Sequence, residues 1–386
     1  MGTLLVRGRL ALGGRASDIV IEDGIIQGIQ PAGKTKTGVV GGPDRLVTQG
    51  FFDLQVNGFA AVDFNRPTVT PGELRRATEA MWRRGVTRYL PTVITALVKD
   101  MLGTLEAIAQ ARQSDTVLEF AIPGIHLEGP FLAPEDGPRG AHPADSILDP
   151  DWELFLKFQA AAKGHIRLLS VAPERPGAIG LIWQLRQAGI VVGIAHTDAK
   201  ESDIIQAVQA GAQLSCHLGN GAHALLPRHR NYIQMQLAND DLFASIIVDG
   251  HHLPHYLVKN IVRCKGLDRL ILITDAMAAA AAAAGKYRLG QVLAEVGPDG
   301  YVRLPGTPYL AGSALTMDRA VENVAKFSGI SLDQAIGLAN RQPRRLFPDL
   351  GELAPGAPAE IIVLHPGPPL TVEATVIKGD VVYRAE

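Results

Sequence analysis

IVVGIAHTDAKESDIIQAVQAGAQLSCH, residues 190–217, holds two short β-rich runs separated by one amphipathic stretch, and each run stops at a histidine. The first ends near Ala195 with His196 behind it, the second near Cys216 with His217 behind it, and Glu201 to Ala210 between them reads as a helix. Outward from this unit the alternation recurs. Eight β-rich runs end near Leu54, Val93, Leu127, Val171, Ala195, Cys216, Val248 and Thr274. Helical candidates follow most of them, among them Pro71 to Arg84, Leu97 to Arg112, Gly177 to Ala188 and Pro254 to Cys264. Eight strand-helix repeats predict an α/β chain folded as a (β/α)8 TIM barrel, with chemistry at the C-terminal ends of the strands. A doubly wound open sheet competes with this reading, but no G-x-G-x-x-G phosphate fingerprint follows an early strand.

The ends of the chain have another texture. Leu4 to Val6, Asp18 to Glu22 and Ile25 to Ile29 read as strands around an Asp23-Gly24 turn, and Glu360 to Leu364, Thr371 to Ile377 and Val381 to Tyr383 repeat the pattern. Neither set is enough sheet to stand alone. The two ends are therefore expected to pair into one small β-sandwich domain, residues 1–48 with 350–386, around a catalytic barrel of residues 49–349.

Composition narrows the function. The 386 residues are 47% hydrophobic and 20% charged, with 37 basic against 39 acidic side chains, which excludes a disordered chain and a polycationic nucleic-acid binder. Two cysteines, Cys216 and Cys264, supply no disulfide framework and fit a reducing compartment. The apolar start of the chain is broken by Arg7 and Arg9, and no run of about 18 apolar residues occurs. A cytoplasmic protein with neither nucleic-acid nor membrane partners is expected.

The barrel reading requires reactive side chains at strand ends, and they fall there. Strand 1 ends in Gln55-Val56-Asn57, strand 3 in His126-Leu127-Glu128, strand 5 in His196, strand 6 in His217, strand 7 in Asp249-Gly250-His251-His252 and strand 8 in Asp275. Ten of the 11 histidines lie between residues 126 and 255, so they track the middle of the barrel. A lone strand-end histidine is most simply a hydrogen-bonded structural residue. One Glu, two His and a terminal Asp converging from four strands would instead leave buried polarity uncompensated unless a cation sat among them. Zinc suits such a mixed oxygen and nitrogen set, with three protein ligands and an open position for water. Asp275 then reads as the general base, the alternative being a fourth ligand or a helix cap; the base is favoured because a fourth ligand would close the site. Hydrolysis of an amide or a related bond is the implied reaction class.

Phe51 to Gly58 (FFDLQVNG), Gly124 to Phe131 (GIHLEGPF), Gly140-Ala141-His142, Ala172-Pro173-Glu174, Ala195 to Ala199 (AHTDA), Thr274-Asp275-Ala276 and Leu310 to Ser313 (LAGS), in that order, resemble the N-acetylglucosamine-6-phosphate deacetylase family of the amidohydrolase superfamily. The resemblance runs from about residue 47 to the C-terminus. It implies a metal-dependent amidohydrolase barrel in which Glu128, His196 and His217 hold one divalent ion per chain, Zn2+ first and Fe2+, Co2+, Mn2+ or Ni2+ as other occupants. Asp275 would be base and then acid, His142 would stabilise the oxyanion, and the substrate would be N-acetylglucosamine 6-phosphate, cleaved to glucosamine 6-phosphate and acetate. Ala141, His142, Asn220, Gly221, His252, Leu310, Ala311 and Gly312 match positions that contact substrate, and a homodimer is implied. The His-x-His pair that carries a second metal in many amidohydrolases is Gln55-x-Asn57 here, so a single-metal site is expected. Strand 4 ends in Ser170-Val171-Ala172-Pro173-Glu174 with no lysine to be carboxylated, against the dihydroorotase and hydantoinase branches.

The sequence departs from the family after His217, where Leu218-Gly219-Asn220-Gly221-Ala222-His223 leads into Leu225-Leu226-Pro227-Arg228-His229-Arg230. Arg228 or Arg230 would supply the phosphate grip that the family contributes across its dimer interface. The change leaves an alternative: an unphosphorylated or differently shaped N-acyl substrate. Gly221 either lets backbone approach an anion or, with Gly219, merely shapes the turn. Cys216 is expected to point to the opposite face of the strand from His217. The run Ala278 to Ala284 reads as an adaptable loop whose tip, Gly285-Lys286-Tyr287, is expected to border the active site.

Overall fold

A computed structural model describes residues 3–11, 14–33, 38–307 and 309–386; the parts of the N-terminal segment at 1–2, 12–13 and 34–37 lie outside the described residues. The eight barrel strands are Phe51–Val56, Val86–Ile94, Ile125–Glu128, Ile166–Val171, Val191–Ile194, Leu214–Ser215, Phe243–Ile247 and Leu270–Ile273. They pair parallel in chain order. Each ends within two residues of its sequence expectation. All eight are buried along all or almost all of their length because helices cover the sheet outside and side chains fill it inside, which is why they read as near-continuous apolar runs.

Local signals place the helices. Pro71–Trp82 starts where Thr70 Oγ1 accepts from the Glu73 amide at 3.3 Å and the Glu73 carboxylate accepts from the Thr70 amide at 2.9 Å, with Pro71 at the first helical position. Its Leu74, Ala77, Thr78 and Met81 form the face buried on the barrel. Between the last and first strands the ladder thins to one parallel bridge, Val56 to Ala276. There Asp53 accepts a hydrogen bond from Thr274 Oγ1 at 2.5 Å, so a side chain ties the seam where backbone pairing runs out.

The two chain ends join into one separate seven-stranded sheet. Its centre is Val39–Gln49, a strand absent from the sequence reading because Gly41-Gly42-Pro43-Asp44 carries a turn signal in its middle. That strand pairs parallel with Leu4–Leu10 and antiparallel with Glu360–His365, so it is the element that joins the two ends. A register shift between Arg7 and Arg9 absorbs the irregularity.

The alanine run needs a correction. Ala278 to Ala284 is turn and loop, as expected, but Gly285–Leu289 is a strand rather than a tip, the first of a three-stranded antiparallel insert with Val292–Val296 and Val302–Arg303. Alanine fits because the backbone of Gly58 to Ala61 lies directly on it: Ala61 donates to the Ala278 carbonyl at 2.7 Å and Ala60 to that of Ala280 at 2.8 Å. A larger side chain at 278–280, all buried, would push these segments apart.

Candidate metal and catalytic site

Glu128, His196 and His217 meet at the C-terminal mouth of the barrel, with their ligand atoms all within 4.8 Å of one another. Among the described residues they form the one group of three such donors able to hold a metal ion. Glu128 Oε1 lies 2.9 Å from His217 Nε2 and 3.5 Å from His196 Nε2. His196 Nδ1 faces the Pro138 carbonyl at 2.8 Å, which fixes the proton on Nδ1 and turns the Nε2 lone pair to the cluster, the tautomer a metal ligand needs. His217 Nδ1 is buried without a partner. The donor set, its convergence and the tautomer of His196 fit a divalent cation.

The backbone is strained where it presents these groups. His196, His217 and Asp275 have φ of +47°, +31° and +49°, a left-handed region that costs a non-glycine residue about 1–3 kcal/mol. Each follows the last paired residue of its strand, so the ladder no longer dictates side-chain direction. This overturns the expectation for Cys216. Strand 6 pairs only over Leu214–Ser215, and beyond it Cys216 and His217 both turn into the barrel. Cys216 Sγ lies 3.3 Å from Ser170 Oγ, which is 2.7 Å from His126 Nε2 in the lumen beneath the site. Burial pushes the Cys216 thiol up to about 12, and it stays out of the metal group.

Asp275 stands beside the cluster. Its Oδ1 accepts from Asn57 Nδ2 at 2.7 Å and from Gln55 Nε2 at 3.0 Å, and Gln55 Nε2 also donates to Glu128 Oε1 at 2.9 Å. Residues 55 and 57 point to one face of the strand because side chains alternate. The Gln-x-Asn spacing that argues against a second metal is thus a two-pronged amide clamp, and two donors facing two carboxylates was the overlooked signal. Burial, then the Glu128 charge, raises Asp275 to about 6. Burial also opposes ionisation of Glu128, but the adjoining His196 and His217 imidazoles outweigh it and leave that carboxyl well below its usual range.

His142 completes the mouth. Its Nε2 is 3.2 Å from His196 Nε2 and its Nδ1 is 3.0 Å from Thr95 Oγ1. Burial, then the neighbouring His196, lowers it to about 3, so it works as a neutral hydrogen-bonding group. His252 is aimed by Asp249, whose Oδ2 lies 2.6 Å from His252 Nδ1.

A cavity of about 250 Å³ opens over these groups. Ala141, His142, Asn220, Gly221, His252, Leu310, Ala311 and Gly312 all line it. Arg228 and Arg230 do not; both are exposed on the loop beyond Gly221. Gly221 has a reason of its own to be small. Its φ is +56°, and a Cβ there would stand 2.6 Å from His196 Nδ1, so the glycine seats a cluster imidazole. Ile94, Leu289 and Val292 also line the cavity, and the sequence carried no sign that the insert would bring the last two there.

No protein-family model matches the chain. It is 31% identical over 363 residues to an N-acetylgalactosamine-6-phosphate deacetylase of Escherichia coli O157:H7, covering 93% of each chain. It is 31% identical over 357 residues to the N-acetylglucosamine-6-phosphate deacetylase of Homo sapiens, covering 89% of this chain and 84% of the other. Among solved structures, N-acetyl-D-glucosamine-6-phosphate deacetylase of Mycobacterium smegmatis, in complex with N-acetyl-D-glucosamine-6-phosphate, superposes with a TM-score of 0.89 over 99% of this chain and 100% of that one, at 29% identity. An enamidase of the amidohydrolase superfamily, 14% identical with a TM-score of 0.61, shares the fold.

Proposed function

The chain belongs to the N-acetylglucosamine-6-phosphate deacetylase family of the amidohydrolase superfamily, and on that premise we propose that it hydrolyses N-acetylglucosamine 6-phosphate to glucosamine 6-phosphate and acetate. What carries this reading is the convergence of Glu128, His196 and His217 beside a buried Asp275 held by two amides.

We assign the metal to Glu128, His196 and His217, one ion per chain, with zinc the occupant that the mixed oxygen and nitrogen donors favour. When bound, the ion supplies Lewis acidity at the acyl oxygen and lowers the pKa of water. Asp275 does the proton work. With Oδ1 engaged by Gln55 and Asn57, Oδ2 is left to take a proton from the attacking water as the water oxygen bonds to the acyl carbon. A carboxylate raised towards neutrality by burial is well matched to both halves of that transfer. His142 donates through Nε2 to the acyl oxygen as it gains charge; for Nε2 to carry the proton, Nδ1 accepts from the Thr95 hydroxyl. The C–N bond then breaks as Asp275 returns its proton to the departing amine, leaving acetate and the free amino sugar.

We place the sugar against Asn220, Gly221, His252 and the Leu310 to Gly312 loop, with His252 oriented by Asp249 towards a hydroxyl. Among the described residues no lysine or arginine lines the cavity, so a 6-phosphate would draw its cation from outside these residues. That need, with Leu225 91% exposed on the loop that carries Arg228 and Arg230, supports a homodimer in which this loop meets the second copy. Two free cysteines support a cytoplasmic location, and no helix among the described residues is long and apolar enough to cross a membrane.

The test is acetate release by zinc-loaded protein from N-acetylglucosamine 6-phosphate, its galactosamine epimer and unphosphorylated N-acetylglucosamine. A dominant kcat/KM for the first is the expected result. Equal or better cleavage without the phosphate would overturn the substrate assignment.

A further inference from the structure

A second cavity, of about 280 Å³, lies next to the catalytic one, and the two share Ile94, Leu289 and Val292. We propose that these three side chains form an acyl ruler: a wall that sizes the N-acyl group to acetyl and closes off a cavity large enough to take a longer chain. The proposal rests on the deacetylase reading above.

The wall stands where the acyl carbons must be. His142 lines the catalytic cavity, whereas its hydrogen-bond partner Thr95 and its chain neighbour Pro143 line the second one, so the group that meets the acyl oxygen is set into this same partition. The acyl methyl is one bond from the carbon bearing that oxygen. Asn220, Gly221 and His252, assigned to the sugar, come from the loops after strands 6 and 7, and Leu310 to Gly312 closes the loop after strand 8; Ile94 ends strand 2, and Leu289 and Val292 sit in the first hairpin of the insert that opens that last loop. In a trans amide the acyl chain and the sugar carbon lie on opposite sides of the C–N bond, so with the sugar held by Asn220, Gly221 and His252 the acyl chain would face the aliphatic wall of Ile94, Leu289 and Val292.

A ruler has to be stiff, and this one is pinned. Leu289 and Val292 face each other across the two-residue turn Gly290-Gln291, where Gly290 has a φ of +57°. The Gly290 amide donates to Asp63 Oδ2 at 3.0 Å, while Asp63 Oδ1 accepts from the Asn65 amide at 2.9 Å. Asn65 Oδ1 in turn accepts from the Ile94 amide at 2.8 Å. One short chain of hydrogen bonds thus fixes the turn and Ile94 to each other.

Kinetics with N-acetyl, N-propionyl and N-butyryl glucosamine 6-phosphate test the idea on the zinc-loaded full chain. Wild type should lose about 10- to 200-fold in kcat/KM for the first added methylene. Leu289→Ala should recover at least tenfold of that ratio by joining the two cavities, and the half-buried Val292→Ala, with less risk to folding, should act in the same direction. Leu310→Ala, on the sugar side, should raise KM for every acyl length and leave the ratio as it is. Unchanged ratios in folded Leu289→Ala and Val292→Ala, or equal relaxation by Leu310→Ala, would overturn the ruler alone. Wild-type protein that leaves the acetyl substrate uncut would overturn the functional reading itself and the ruler with it.

Discussion

The two ends of the barrel both bury charge, and they do it in opposite ways. At the N-terminal end, Arg344 and Glu360, each about 3% exposed, pair at 2.5 Å. Glu360 also takes hydrogen bonds from Arg88 at 3.0 Å and Thr87 at 2.6 Å, and Arg344 donates to the Gly50 carbonyl at 3.0 Å. Opposite charges meet there, and none of these residues has a strained backbone. At the C-terminal mouth two carboxylates, Glu128 and Asp275, are held by one amide, three imidazoles crowd beside them, and three of the group have positive φ. Each end also keeps buried polar atoms without a partner, Arg344 Nε at the first and Asn57 Oδ1 and His217 Nδ1 at the second. The first arrangement joins the terminal sheet to the barrel. The second concentrates electrostatic conflict that a cation and a reacting substrate would relieve.

If that contrast holds, mutations at the two ends separate turnover from stability. Asp275→Asn should lower kcat by about 10²- to 10⁴-fold while metal content and melting temperature stay near wild type. Assay and metal analysis together check this, and retained turnover would remove Asp275 from the mechanism. Arg344→Met should do the converse. It leaves Glu360 to Arg88 and Thr87 alone, and losing one member of a buried pair costs up to about 3–5 kcal/mol, readable by chemical denaturation, with turnover per folded molecule preserved. Asn57→Ala sharpens the picture at the mouth. Deleting one donor to the Asp275 carboxylate removes a charged hydrogen bond of about 1.5–3 kcal/mol, an upper limit on the transition-state loss, and should cost roughly 10- to 100-fold in kcat/KM with little change in stability. The smallest effect is the pH profile. Asp275 must be ionised to accept a proton, so kcat/KM should fall on acidification, with a limb at about 6 or lower because a bound cation favours the carboxylate further. A limb that survives in Asp275→Asn would assign it to another group.

The contrast also explains what could be read in advance. The eight strands were legible because burial on both faces writes them as apolar runs, and the mouth was legible because polar residues interrupt those runs at their ends. The roles of individual groups were less so. Gln55 and Asn57 were seen as poor zinc ligands, but their hold on Asp275 needs strands 1 and 8 to meet across the barrel seam, 220 and 218 positions apart in the chain. Strand alternation puts Cys216 on the face opposite His217, but that rule applies only while the ladder lasts, and strand 6 ends at Ser215. The resemblance puts the phosphate grip at Arg228 or Arg230 across a dimer interface, a contact between two chains that the cavity of one chain, which neither arginine lines, does not contain.

Sequence alone therefore determined the alternation of strand and helix, the pairing of the chain ends and the donor types at each strand end. These follow from local hydrophobic periodicity and from side-chain chemistry. Only the tertiary structure decided which oxygen of Asp275 is free, that Gly221 makes room for His196, and that Leu289 and Val292 wall the cavity. Those facts depend on distances between residues far apart in the chain, set by how the strands close into a ring and where the insert folds back, and no local pattern encodes them.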